Sequence, residues 1–462
     1  MQIETVVAET AVVILDEHMK FFDRKEEIAT LRKIRNNAEN NAQFTVLTGR
    51  RRIGKTSLVL KAYEDKPFLY FFVGRKAESL LCEEFRNEVE EKLGVKLGGT
   101  PSGFAELFDY LMQMSKQQSF TLFIDEFQNF VRVNPAVFSD IQKIWDLNHS
   151  ESRINLIVCG SVYSMMTKIF RDKKEPLYNR QNRFMTIHAF KPSVLKEILD
   201  VYHPDYTKED LLALYTFTGG VAKYVELLID DNAMTLDAMV ESMISSDSIF
   251  INEGRSILIE EFGKDYDIYF SILSAIASGK TRRSEIESII GKPIGGYLTR
   301  LEDDYGIIVK QIPVGAKALS KNAVYIINDN FFTFWFRFIF KYTHILEIGG
   351  YKQLRALIKR DYPTFSGLIL ERYFRAKAIE SEKYTLIGRW WDRKGENEID
   401  MVAANEFDKT VEIYEIKRNR KNIDFTDLEE KVKTMLTAVH LFNGYDIETK
   451  GLDRQDIEMQ DM

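Results

Sequence analysis

Cysteine is nearly absent: the 462 residues hold two, Cys82 and Cys159. That excludes a disulfide framework or a cysteine-rich metal site and fits a reducing compartment. Proline is scarce too, at nine residues, while 12% of the chain is aromatic, so disorder as the dominant state is excluded. The six histidines show no metal-ligand spacing and read as packing or surface residues. No apolar run is long enough to span a bilayer. The most apolar, Phe331–Leu346, is broken by Arg337 and Lys341 and reads as a buried aromatic helix. The opening MQIETVVAETAVVILDEH carries acids before any basic region, so it is not expected to be a signal peptide. No internal repeat is visible, which disfavours solenoids and propellers. The expectation is a soluble cytoplasmic protein with no membrane partner.

Hydrophobic residues make up 45% of the chain and charged residues 29%, enough for each of two to four domains to bury a core. The net charge of −7 says little, because it can hide patches of the opposite sign. In the first third, the apolar runs Phe44–Thr48, Phe68–Val73, Phe120–Ile124 and Ile154–Cys159 alternate with amphipathic stretches such as Leu80–Leu93 and Phe104–Ser115. That alternation predicts an α/β fold, a parallel sheet with helices on both faces. From Pro192 the pattern turns helical. Helices over Tyr266–Ala277, Arg283–Ile290 and Ile294–Glu302, then β-rich segments at Gly306–Pro313 and Ala323–Ile327 joined by VGAKALSKN, give a winged-helix layout. The last hundred residues read as a helix (Phe365–Ile379), strands around Thr385–Trp391, Glu398–Ala403 and Thr410–Lys417, and a helix near Asp427–Leu436.

The segment Gly49, Arg50, Arg51, Arg52, Ile53, Gly54, Lys55, Thr56 fits G-x-x-x-x-G-K-[ST] in full, with Ser57 continuing into a helix. Its glycines permit a backbone that wraps phosphate with N–H groups beside a positive helix terminus. Lys55 would contact the β- and γ-phosphates of ATP and Thr56 would ligate Mg²⁺. The strand FTLFI ends in Asp125-Glu126, which places two carboxylates at the sheet edge where nucleotides bind. Asp125 would hold Mg²⁺, and Glu126 would orient or deprotonate the attacking water. The next strand ends in Cys159-Gly160-Ser161, where Ser161 is either a γ-phosphate sensor or a helix cap.

These residues resemble the archaeal-type ATPases of the AAA+/STAND group. Phe21-Phe22-Asp23-Arg24-Lys25-Glu26-Glu27-Ile28 is similar to that family's F-x-x-R-x-x-E-[LI] opening, and Gly160-Ser161…Pro176-Leu177-Tyr178-Asn179-Arg180 to its G-S…P-L-Y-G-R signature, with Asn179 where Gly is usual. The resemblance makes Arg180 the candidate arginine that neutralises transition-state charge, in cis or across an oligomer, with Arg183 as rival. Gly219-Gly220-Val221-Ala222-Lys223-Tyr224 resembles the G-G-x-P-x-Y element of the family's helical lid, with Ala222 replacing Pro. The resemblance also implies adenine as the base; no N-K-x-D element for guanine is evident.

The same family often carries a winged helix followed by a PD-(D/E)XK nuclease-type domain. Glu398-Ile399-Asp400 in one strand, Glu415-Ile416-Lys417 ending the next, and Glu371 on the helix before them match in order. Asp400 and Glu415 would ligate a divalent metal with Glu371 completing its shell, and Lys417 would orient a water or stabilise the phosphate. The E-x-K spacing alone is common: Glu90/Lys92, Glu429/Lys431 and Glu448/Lys450 read as solvated helix or tail. Trp390 and Trp391 are expected to pack or cover a groove. Lys310–Arg360 holds nine basic residues against Asp329 and Glu347, which suggests attraction to DNA phosphates. Tyr297 and Arg300 would be exposed on the recognition helix, with Lys280, Arg282 and Arg283 adding phosphate contacts.

The domain scheme is therefore an N-terminal extension (1–20), a P-loop ATPase core (21–190), a helical lid (191–250), a winged helix (251–345), a nuclease-like domain (346–450) and a tail (451–462). One reading is a Mg²⁺-dependent ATPase whose nucleotide state controls a DNA-binding and DNA-cleaving C-terminal region, with a nucleotide-dependent homo-oligomer. The other is an ATP-dependent signalling or scaffold switch whose inactive nuclease-like tail binds protein.

Overall fold

The computed structural model describes residues 19–66, 68–317 and 320–459. The extension expected over 1–20 lies almost wholly outside them, as do Ala318 and Leu319 of the VGAKALSKN turn and the last three residues of the tail. Two compact units are present, Asp23–His188, and Ala189 onward together with the chain up to Phe22.

The unit Asp23–His188 runs α1 (Lys25–Ala38), β1 (Gln43–Thr48), α2 (Lys55–Ala62), β2 (Leu69–Phe72), α3 (Glu78–Leu93), α4 (Phe104–Ser115), β3 (Phe120–Asp125), α5 (Val137–Asn148), β4 (Ile154–Cys159), α6 (Tyr163–Arg171) and β5 (Arg183–Thr186). Its five strands lie in the order β2-β3-β4-β1-β5, every neighbouring pair parallel. Every residue of β3 and β4 is buried, because helices cover both faces, and this is why their sequences are near-continuous apolar runs. The larger core is aromatic; Phe71 stacks on Phe85 at 4.2 Å between centroids. Parallel pairing brings the carboxyl ends of β1, β3 and β4 to one edge. β5 was not expected: Arg183-Phe184-Met185-Thr186 is a short, partly exposed edge strand without an apolar run.

The other unit begins with α7 (Pro192–Tyr202), α8 (Lys208–Thr218), α9 (Ala222–Asp230) and α10 (Leu236–Met243). A capping box between Thr207 and Asp210 starts α8. The turn into α9 needs glycine: Gly220 has φ 75°, and a Cβ there would lie 2.3 Å from the Phe190 carbonyl oxygen. Ala222, in place of the usual Pro, is the first residue of α9.

Helices α11 (Phe250–Phe262), α12 (Tyr266–Ala277), α13 (Arg283–Ile290) and α14 (Gly295–Thr299) precede an antiparallel pair, β6 (Ile308–Gln311) and β7 (Val324–Ile327). The helix expected over Ile294–Glu302 continues beyond α14 as a wider π turn through Arg300–Asp304. The aromatic segment forms α15 (Asn330–Phe334) and a π turn, Trp335–Phe340.

A 30-residue helix, α16 (Tyr351–Glu380), follows, with Pro363 inside it. It begins 14 residues before the helix expected over Phe365–Ile379. β8 (Leu386–Trp391), β9 (Glu398–Asn405), β10 (Thr410–Ile416), α17 (Phe425–Ala438) and β11 (Asp446–Leu452) complete the chain. These strands lie in the order β11-β10-β9-β8; β10 and β11 are parallel across α17, the other pairs antiparallel. The expected tail is corrected here: Gly451 and Leu452 pair with β10, and Ile457 is buried. Among the described residues no helix is long and apolar enough to cross a membrane.

Candidate nucleotide site

Strand β1 delivers the loop Gly49–Gly54 to the carboxyl edge of the sheet. Gly49 has φ 146°, and a Cβ there would lie 2.5 Å from the Ile187 carbonyl oxygen, so both backbone and space require glycine. Arg52 (φ 67°) and Gly54 (φ 91°) take left-handed conformations, and Gly54 caps α2. Lys55, Thr56 and Ser57 are the first residues of that helix, where backbone N–H groups lack intrahelical partners. Lys55 is buried, and its Nζ donates to the Gly49 and Arg50 carbonyls, both at 2.9 Å.

The structure brings Asp125, at the end of β3, directly to Thr56: Oγ1 donates to Asp125 Oδ2 at 2.7 Å. The Tyr70 hydroxyl, on β2, donates to the same oxygen at 3.3 Å, and burial, then the Asp125 charge, raises the Tyr70 phenol well above its ordinary range. Asp125 Oδ1 accepts from the Glu126 N–H at 2.9 Å. Glu126 itself sits at φ 54°, a left-handed kink that swings its carboxylate out of the strand direction. There Glu126 Oε2 accepts from Ser161 Oγ at 2.8 Å and from Gln128 Nε2 at 2.5 Å. Ser161 does not cap α6, whose N-cap is Val162. Burial, then the Asp125 charge, pushes the Cys159 thiol up, which keeps it neutral.

Gln128 and Tyr70 are site residues that the sequence reading missed. No spacing rule marks them, since each reaches the carboxylates only through the fold. Gly160 is an indirect pointer: a Cβ there would lie 2.4 Å from both Gln128 Oε1 and Met166 Sδ.

Arg180 is not brought to the loop. Its guanidinium grips Asp146 near the end of α5, Nε at 2.8 Å from Oδ1 and Nη2 at 3.0 Å from Oδ2. Two residues on, the Asn182 N–H donates to the Phe44 carbonyl at the start of β1. Arg180 therefore lies at the amino edge of the sheet, roughly 16 Å from the loop at about 3.3 Å per strand residue. In this arrangement Arg180 does not reach the loop of its own chain. Arg183 opens β5 opposite Thr45 and is also remote from the loop. Asn179 has φ 54°, the left-handed conformation that asparagine tolerates, so the turn survives without glycine. Arg24, also left-handed, is buried and donates to the His188 carbonyl and to Glu27.

In the other unit, Lys417 Nζ lies 3.0 Å from Asp400 Oδ2 and 2.7 Å from Glu415 Oε1. Asp400 Oδ2 also accepts from the Ile416 N–H at 2.8 Å, and Lys431 Nζ is 3.8 Å from Glu415. Glu371 stands beside this cluster without an ion pair to Lys417. It faces Arg375 at 3.5 Å and Arg389 at 3.6 Å, and burial, partly offset by Arg389 and reinforced by the Asp400 charge, raises its carboxyl. Among the described residues no group of three or more His, Cys, Asp or Glu is arranged to hold a metal. Of the E-x-K pairs set aside, Lys431 in fact reaches Glu415, and Glu448/Lys450 lies in β11 with Lys450 3.2 Å from Glu412.

Trp390 and Trp391 are buried, and Trp391 Nε1 donates to the Asn322 carbonyl. Tyr297, expected to be exposed, is half-buried, edge-on to Tyr269 at 5.4 Å; Arg300 is exposed. Arg283 pairs with Glu287 at 2.8 Å.

A phosphate-binding loop leaving an inner strand of a parallel sheet, with a hydroxyl–carboxylate pair completed by Asp125 from β3, on the far side of β4, defines a P-loop ATPase. Residues 21–228 match the family of ATPase domains predominantly from Archaea, and residues 335–432 match a family described as archaea bacterial proteins of unknown function. The chain is 32% identical over 429 residues to an uncharacterized protein of Methanocaldococcus jannaschii, covering 89% of this chain and 92% of that one. A second uncharacterized protein of that organism is 37% identical over 70 residues, 15% of this chain and 68% of its own. The Walker-type ATPase of Pyrococcus abyssi has a similar fold, with a TM-score of 0.52 and 19% identity over 69% of this chain and 96% of that one. The chain belongs to this archaeal ATPase family and is an ATP-binding ATPase.

Proposed function

We propose that the chain hydrolyses Mg²⁺-bound ATP at Gly49–Ser57 and uses the cycle to control a DNA-binding C-terminal region. The observation that carries the first half is the 2.7 Å contact between Thr56 and Asp125. It sets two hard oxygen donors side by side, the donor chemistry that Mg²⁺ prefers, so these residues fit the metal. When bound, Mg²⁺ would neutralise phosphate charge. The loop N–H groups cradle the phosphates, and Lys55 leaves the Gly49 and Arg50 carbonyls for the γ-phosphate. Glu126 takes a proton from the attacking water, which bonds to the γ-phosphorus as the bond to the ADP oxygen breaks. Ser161 and Gln128 hold the Glu126 carboxylate in place. Arg180 acts only on a neighbouring copy.

The DNA-binding half is supported by exposed basic residues such as Lys280 and Arg300 beside the three-helix and two-strand layout. For the nuclease-like region, one observation favours binding without cleavage: Asp400, Glu415 and Glu371 are each already matched by lysine or arginine. A metal would have to displace Lys417. The test is phosphate release with and without duplex DNA, with DNA integrity followed in the same tube. Stimulation by DNA that Lys55→Ala abolishes supports this reading. ATP-driven self-association without DNA binding would favour the scaffold alternative. Nicking lost on Asp400→Ala would restore cleavage.

A further inference from the structure

We propose that a second ligand site, independent of the phosphate-binding loop, lies in a cavity of about 350 Å³ enclosed by α12, β7, α16 and the β8–β9 hairpin, and that it takes a phosphate ester of nucleotide size. Three guanidinium groups line it: Arg282 from the turn before α13, Arg372 from the middle of α16, and Arg389 from β8. Their charges are poorly balanced. Arg372 makes its hydrogen bonds to neutral groups, donating through Nη1 to Asn330 Oδ1 at 3.1 Å and Thr333 Oγ1 at 3.2 Å, with the charge of Glu371 near it. The Arg282 side chain donates to the Arg393 carbonyl at 3.4 Å. Arg389 alone is within ion-pair distance of carboxylates, Glu371 and Glu398, and Glu371 is shared with Arg375.

The Nε atoms of Arg372 and Arg389 are buried and have no hydrogen-bond partner among the described residues. Burial, and next the like charge of Arg375, pulls the Arg372 guanidinium down to about 10. A buried, unpaired charge is costly, and an anion placed here would offset it. Planar guanidinium forks suit phosphate oxygens. The lining is also partly apolar, with Ile276, Val324, Leu368 and Trp391 beside the arginines. A bare phosphate would leave those side chains uncovered, whereas the volume falls in the range of small-molecule sites. A phosphate carrying a flat or apolar body covers both kinds of lining. Such a group comes either as a free nucleotide or as the phosphorylated end of a nucleic-acid strand.

The test uses the full chain carrying Lys55→Ala, so that the loop contributes no nucleotide binding. Adenosine 5′-monophosphate is titrated calorimetrically, and a short oligonucleotide, with and without a 5′-phosphate, in parallel. Saturable heat is expected. Adding Arg282→Met should weaken it at least roughly tenfold, the worth of a charge-assisted hydrogen bond. Adding Leu368→Trp, which fills the cavity from a part-exposed position and keeps every charge, should abolish it without moving the unfolding midpoint. Preference for the phosphorylated strand assigns the strand end; heat with the mononucleotide alone assigns the free nucleotide. No heat from any probe, or heat that both substitutions leave unchanged, overturns the proposal.

Discussion

At the scale of single residues, the site divides by how its members are joined. Lys55, Thr56, Asp125 and Glu126 were legible in the sequence because a contiguous motif or a strand end carries them. Gln128 and Tyr70 were not, because hydrogen bonds across the fold bring them to Glu126 and Asp125. Gly160→Ala tests the first of these: its Cβ must push aside both the Gln128 amide oxygen and the buried Met166 side chain. The expected outcome is a marked fall in turnover with ATP affinity retained, read by phosphate release and calorimetry. Glu412 offers a test apart from the site. Burial alone would raise its carboxyl, but hydrogen bonds from Lys383, Tyr384, Tyr414 and Lys450 overcome that and hold it at about 2, down from 4.5. Its stabilisation is therefore present above about pH 4.5 and lost as pH falls towards about 2. Between pH 5 and 3, as set by that window, the unfolding midpoint of the wild type should fall more steeply than that of Glu412→Gln.

Elements were legible where burial imposes a pattern and hidden where it does not. β1 to β4 were read because each carries an apolar run, fully buried in β3 and β4 where both faces are covered; β5 was missed because it carries no such run. The first half of α16 was missed because Pro363 reads as a stop, although proline costs a helix a single hydrogen bond and a kink. β11 was taken for tail because alternating Glu448 and Lys450 look solvated, yet Lys450 turns to Glu412. The turn between α8 and α9 is testable on its own. Gly220→Ala, with positive φ and a carbonyl in the way, should destabilise the fold by roughly 1–3 kcal/mol, read from chemical unfolding. Arg180 belongs to this scale as well, because β1 separates it from the loop. Arg180→Ala should leave ATP affinity intact and lower turnover only at concentrations where copies associate.

On the scale of the whole molecule, the parallel sheet, the three-helix and two-strand segment and three of the four strands of the C-terminal sheet were expected from the pattern of apolar and polar residues. Their side-chain chemistry was not. The acids Glu371, Asp400 and Glu415 fall in the expected order along the chain, but Lys417 after β10 bridges Asp400 and Glu415, and Arg375 of α16, Arg389 of β8 and Lys431 of α17 pair with the acids as well. Charge balance of this kind is settled by packing, which no spacing rule records. What the family and the geometry support together is an ATPase engine with a charged C-terminal partner region. Its central claim rests on Glu126. The most direct measurement compares wild type with Glu126→Gln, following Mg²⁺-dependent phosphate release and ATP binding on the same preparations. Turnover should drop by roughly 10²–10⁴, the contribution of a positioned base, while ATP affinity stays within a few-fold. Unchanged turnover in Glu126→Gln would contradict the account.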